Sequence, residues 1–98
     1  MNTQCSPFPE LEIEIPRGGY VVRKGLEILS CANDGRRGLI LFEDQLECLR
    51  YAARLESETG QKLTIRHRSW DHLCRCVAET RMRCIHVVSG GVRTVFVR

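Results

Sequence analysis

A chain of 98 residues, 43% hydrophobic and 28% charged, is sized for one domain and too apolar for a disordered polymer. Its uncharged runs fall short of the roughly 20 apolar residues that span a bilayer. Met1 to Cys5 shows neither the basic nor the apolar stretch of a secretory signal, so a cytoplasmic protein with no membrane span is expected.

Residues 1–9, with Pro7 and Pro9 around Phe8, read as an irregular tail, and residues 10–98 as a single domain. Glu10-Leu11-Glu12-Ile13-Glu14-Ile15 alternates strictly, which predicts a half-buried strand with an acidic outer face, ended by Pro16 and Gly18-Gly19. Tyr20 to Lys24 is a second strand. Leu26 to Ser30 continues it past a bulge or forms a strand of its own. Asn33-Asp34-Gly35 marks a turn, because these residue types tolerate positive φ. Gly38 to Phe42 is a continuous apolar run, as a strand covered on both faces requires.

Glu43 to Thr59 carries the clearest helical period. Leu46, Cys48, Leu49, Ala52, Ala53 and Leu55 share one half of the wheel, and Glu43, Glu47, Arg50, Arg54 and Glu58 the other. Glu43, Asp44 and Glu47 suit the positive end of the helix dipole, and Gly60 supplies the stop. Gln61 to Arg68 alternates again as a strand. Ser69 is a good N-cap for a second helix reaching about Arg81, with Trp70, Leu73, Cys74 and Val77 as its apolar stripe. Arg83 to Val88, the Ser89-Gly90-Gly91 turn, and Val92 to Val97 form a hairpin. Strands, helix, strand, helix, hairpin predict an α/β (α+β) two-layer sandwich. Two right-handed crossovers are expected to place both helices on one face of a mixed sheet. An uncovered sheet face, or the acidic strand meeting the basic third of a second copy, makes a closed homodimer plausible.

Fifteen Lys and Arg against 12 Asp and Glu give a net +3, but the halves differ. Residues 1–60 hold 7 basic and 10 acidic side chains, net −3; residues 61–98 hold 8 and 2, net +6. Thirteen of the basic residues are Arg, whose planar, weakly hydrated guanidinium suits carboxylate and phosphate contacts, although a G- and C-rich genome gives the same bias. Arg66 and Arg68 alternate to one strand face, and Arg75, Arg81, Arg83 and Arg93 lie close in sequence. The function expected from this is a non-enzymatic regulatory or adaptor protein, binding an acidic protein partner through Arg66, Arg68, Arg75, Arg81 and Arg83. The alternative is an RNA or single-strand binder that holds phosphates on the same surface. A pI of 8.6 falls below the value above ~9 usual for such domains, and Trp70 shares the stripe of Leu73 and Val77, so it reads as core rather than a stacking platform. A solvated face without a partner is the plain reading of the same charges.

Six cysteines in a short chain suggest a disulfide scaffold, but Cys48, Cys74 and Cys76 fall inside predicted helices, and reduced core thiols fit better. His67, His72, Cys74, Cys76, Cys84 and His86 crowd together, yet there is no CxxC knuckle and no HxxxH pair. Cys74 and Cys76 point to different helix faces, so core cysteines beside surface histidines are expected rather than a metal site or other cofactor. Only Cys84 and His86 share a strand face. No nucleophile, base and oxyanion set, and no phosphate-binding glycine loop, marks an enzyme.

Leu39-Ile40-Leu41-Phe42-Glu43-Asp44, then Arg50-Tyr51-Ala52 and Leu55-Glu56, with Gly25 to Leu29 before them, resemble a small cyanobacterial and plastid family of unknown function. The similarity spans about residues 20–91. It implies a small accessory protein and carries no catalytic residue onto this chain.

Overall fold

The computed structural model describes residues 15–97. The acidic strand expected at residues 10–15, apart from Ile15, and the tail before it lie outside the described residues. Within them run β1 (Gly18–Lys24), β2 (Glu27–Ile28), β3 (Ser30–Asn33), β4 (Arg36–Phe42), α1 (Gln45–Thr59), β5 (Thr64–Ser69), α2 (Trp70–Ala78), β6 (Cys84–Val88) and β7 (Val92–Phe96).

The α/β class, the two helices and the mixed sheet are as the periodicities predict. Asp44 caps α1, its carboxylate accepting from the Glu47 amide at 2.9 Å, and Ser69 caps α2, its hydroxyl accepting from His72 at 3.1 Å. The Asn33-Asp34-Gly35 turn joins β3 to β4 with φ of 52° at Asp34 and 74° at Gly35, the paired positive angles of a tight hairpin. The stretch from residue 27 to 33 breaks at Leu29. There the Leu29 amide donates to the Val22 carbonyl at 2.9 Å and the Leu29 carbonyl accepts from Ile40 at 3.3 Å. The segment therefore pairs with β1 first and β4 second, and wedges between them at one end.

The open seven-stranded sheet runs β5-β1-β4-β6-β7, with β2 and β3 inserted at the β1–β4 seam. β4 and β6 are parallel, the other pairs antiparallel. The order decides where the helices go. From β4, α1 carries the chain past β1 to β5; from β5, α2 carries it back past β1 and β4 to β6. Two right-handed crossovers in opposite directions land on opposite faces. The packing agrees: α1 sets Cys48 and Ala52 on Val22, Ile40 and Phe42, whereas α2 sets Leu73 and Val77 on Val21, Leu39, Leu41, Ile85 and Val87. The expectation of both helices on one face is thus corrected, because periodicity reports an apolar stripe but not the direction of a crossover. The central strands are apolar on both sides. Each fully buried side chain among Leu41, Leu73 and Ile85 contributes about 1.5–3 kcal/mol.

Candidate functional site

The five arginines singled out in the sequence separate into groups. Arg66 and Arg68 stand on β5, at an edge of the sheet, on the face that carries α2. Arg75 is exposed on the outer side of α2, near its negative end. Arg81 and Arg83 lie between α2 and β6, at the far end of the crossover. They stand three strand positions from β5, roughly 14 Å at the spacing of a sheet. Other guanidiniums meet them there. The parallel β4–β6 pairing sets Arg36 and Arg37, at the start of β4, beside the start of β6.

Arg36, Arg37, Arg81 and Arg83 line a cavity of about 310 Å³ with Met82, Cys84 and Phe96. Phe96, opposite Cys84 on β7, is 55% exposed, and the Arg36 guanidinium lies 5.1 Å from its ring centre. The Arg37 guanidinium donates to the Ser30 hydroxyl at 3.1 Å. None of the four meets a carboxylate among the described residues. The ion pair that the described residues do form, Arg93 to Glu43 at 3.6 Å, lies away from this cavity, past the far end of β4. The site thus gathers positive charge around a solvent-facing aromatic ring. Arg36 and Arg37 escape a sequence reading because they lie in the acidic half of the chain. The available signal was their position as a basic pair entering an apolar strand.

Trp70 is half-buried and packs on the α2-side core, as its stripe implies. His86 corrects the expectation of surface histidines. It is fully buried beneath the α1 face of β6, beside β4 and β7. Its Nε2 lies 2.9 Å from the Arg36 carbonyl, which can only accept, so this nitrogen carries the proton. Nδ1 then accepts from the Thr94 hydroxyl at 2.9 Å, and the Asn33 amide donates to that oxygen at 3.5 Å. Both ring nitrogens are committed to the fold. Cys84 does share this face, and its thiol donates to the Arg37 carbonyl at 3.6 Å.

Among the described residues no three His, Cys, Asp or Glu side chains converge as metal ligands. Cys31, Cys48, Cys74, Cys76 and Cys84 are free thiols. Burial pushes the Cys48 thiol up to about 11, and raises Cys31, Cys74 and Cys84 as well; Arg37 and Arg36 partly offset this at Cys31 and Cys84. These four are therefore protonated, weak nucleophiles at neutral pH. A second cavity, about 440 Å³, opens between α1 and the β3–β4–β6 surface, with Arg50, Tyr51 and Arg54 on its helical wall. No described helix is long and apolar enough to cross a membrane. No protein-family model, curated protein or solved structure matches this chain.

Proposed function

We propose that this protein is a small non-enzymatic adaptor that binds an acidic protein partner through Arg36, Arg37, Arg81 and Arg83 around Phe96. The observation that carries the reading is the meeting of these guanidiniums, from separate parts of the chain and without carboxylate partners among the described residues, beside an exposed aromatic ring. Arginine and aromatic residues are the types that dominate binding energy at protein interfaces. An acidic segment carrying an apolar side chain would pair its carboxylates with the guanidinium forks and rest that side chain on Phe96 and Met82. The raised thiols, and an imidazole with both nitrogens engaged, favour binding over catalysis. An accessory role, as the family resemblance implies, and a cytoplasmic location belong to the same proposal.

Fluorescence anisotropy with a labelled Asp- and Glu-rich peptide containing one Phe, and in parallel with a single-stranded RNA, tests it. The peptide is expected to bind and to weaken with salt. R36E/R37E and R81E/R83E should each weaken it about tenfold, near 1.4 kcal/mol. Peptide affinity unchanged in both variants would refute the site. RNA retention with a steep salt slope, without peptide binding, would replace the reading with a nucleic-acid one.

A further inference from the structure

The sheet ends at β5, which pairs with β1 alone among the described residues. In an antiparallel ladder, paired residues either exchange both backbone bonds or turn them outward. The Val22 carbonyl is taken by Leu29 on its other side, so Val22 and Ile65 form an outward-turned pair. Alternation makes Tyr20 and His67 another. The Arg17 carbonyl accepts from Trp70 at 2.8 Å, in phase with this pattern. The amides and carbonyls of Ile65 and His67 thus face away from β1. Their carbonyls accept from the neighbouring guanidiniums, Arg66 Nη1 at 3.2 Å and Arg68 Nη1 at 2.9 Å, in exposed contacts that a backbone amide can replace.

The two sides of this edge differ. Ile65 packs into the α1-side core and the His67 ring meets Tyr20 at 5.2 Å, so these two face α1. Above them is the α1 flank that carries Leu49 and Leu46, 47% and 52% exposed. On the helical wheel Leu49 neighbours Glu56, whose carboxylate accepts from the Leu63 amide at 2.7 Å just before β5. Arg66 and Arg68 face the opposite way. The edge therefore asks for an extended segment with apolar residues on one face and carboxylates on the other, at alternate positions.

The sequence contains such a segment in Glu10-Leu11-Glu12-Ile13-Glu14-Ile15, whose six residues match the six of β5. Ile15, its last residue, is 57% exposed. We propose that residues 10–15 of one copy add as a strand to the β5 edge of a second copy, and that the exchange is reciprocal. Glu side chains then lie across from Arg66 and Arg68, while Leu11, Ile13 and Ile15 continue the surface of Ile65 beneath Leu49. Cross-strand opposite charges and apolar neighbours each favour the pairing, and the guanidiniums discourage strands of other composition.

The geometry of the entry favours a second copy over the same chain. Arg17 is bonded to Trp70 on the β1 side, and Pro16 before it is buried. Reaching the outer edge of its own β5 requires residues 15–17 to cross the strand's end over about 9.6 Å, two strand spacings. Ser69 leads directly into α2 at that point. A two-fold exchange needs no such crossing and closes the assembly. None of the residues involved belongs to the Arg36–Phe96 site, so the two proposals fail separately.

Sedimentation equilibrium of the full chain, with hydrogen exchange on the same samples, tests the exchange. The wild type is expected at twice the 11.2 kDa chain mass. E10K/E12K/E14K and R66E/R68E should each sediment as monomers, and the variant combining all five substitutions should dimerise again. That restoration separates pairing from mere misfolding. A wild-type monomer, a dimer indifferent to both charge sets, or a combined variant that stays monomeric would overturn the proposal. A monomer with slowly exchanging Ile65 and His67 amides would assign the edge to the chain's own segment, and would overturn it equally.

Discussion

Removing the Thr94 hydroxyl should cost far more than a surface substitution, because it strips a fully buried imidazole of its donor. Thr94→Val keeps the shape of the side chain and deletes the 2.9 Å bond to His86 Nδ1. His86 is wholly inaccessible, so water has no direct route to replace the lost donor. A buried acceptor left unsatisfied costs about 1–3 kcal/mol. For a domain of this size, 1 kcal/mol corresponds to a melting shift of about 4–8 °C. The Asn33 amide also loses its acceptor, but Asn33 is half-buried, so its part is minor. Turning the ring over is no remedy, since the protonated nitrogen would lose the Arg36 carbonyl. His86→Leu removes the imidazole itself and leaves Thr94 its contact with Asn33. In that background Thr94→Val has no buried nitrogen to orphan. Urea unfolding of the wild type, both single variants and the double variant forms a cycle, with an expected coupling of at least about 1 kcal/mol. Equal costs of Thr94→Val in the two backgrounds, within about 0.5 kcal/mol, would refute the assignment of the hydroxyl as the ring's essential partner.

A methyl group at residue 38 should also be poorly tolerated. A Cβ on Gly38 would lie 2.6 Å from the Cys84 carbonyl oxygen and 2.8 Å from its sulfur, within the central β4–β6 pairing. Gly38→Ala is expected to lower stability by about 1–3 kcal/mol, and an unchanged urea midpoint would contradict that close approach. Cys48 gives a pH test. Its folded value of about 11 exceeds the ordinary 9.0, so the unfolded chain releases the proton first. The stability this group contributes is present below pH 9 and is lost as the pH rises toward 11. The fall in urea midpoint across that interval should be smaller for Cys48→Ala than for the wild type, and identical slopes would remove the buried-thiol explanation.

Local chemistry was largely legible in the sequence, and long-range placement was not. Ser69 as a cap, Asn33-Asp34-Gly35 as a hairpin turn and the apolar stripe of α2 all follow from residues within a few positions of one another, whereas on α1 Cys48, Ala52 and Leu55 turn inward and Leu46, Leu49 and Ala53 stay exposed. The site did not follow in this way. Arg36 and Arg37 meet Arg81 and Arg83 only through the parallel β4–β6 pairing, which joins residues 39–42 to 85–88. Arg66 and Arg68, near in sequence to Arg81, are carried away by the return of α2 across the sheet. His86 gave a faint signal, as a polar residue in the otherwise apolar run from Cys84 to Val88. A run of that kind leaves a histidine little room except inside.

The reversal of direction between the two crossovers also sets a schedule for assembly. The apolar cluster under α1 draws its buried members from Val22 to Leu63, so it can begin to form once two-thirds of the chain has emerged from the ribosome, with Cys84, His86 and Val88 added to that face later by β6. The layer under α2 needs Val21, Leu39 and Leu41 from early in the chain and Val95 from its end. Until the last hairpin arrives, this layer lacks Ile85, Val87 and Val95 and α2 alone lies over it, which leaves aliphatic surface open to collisions between unfinished chains.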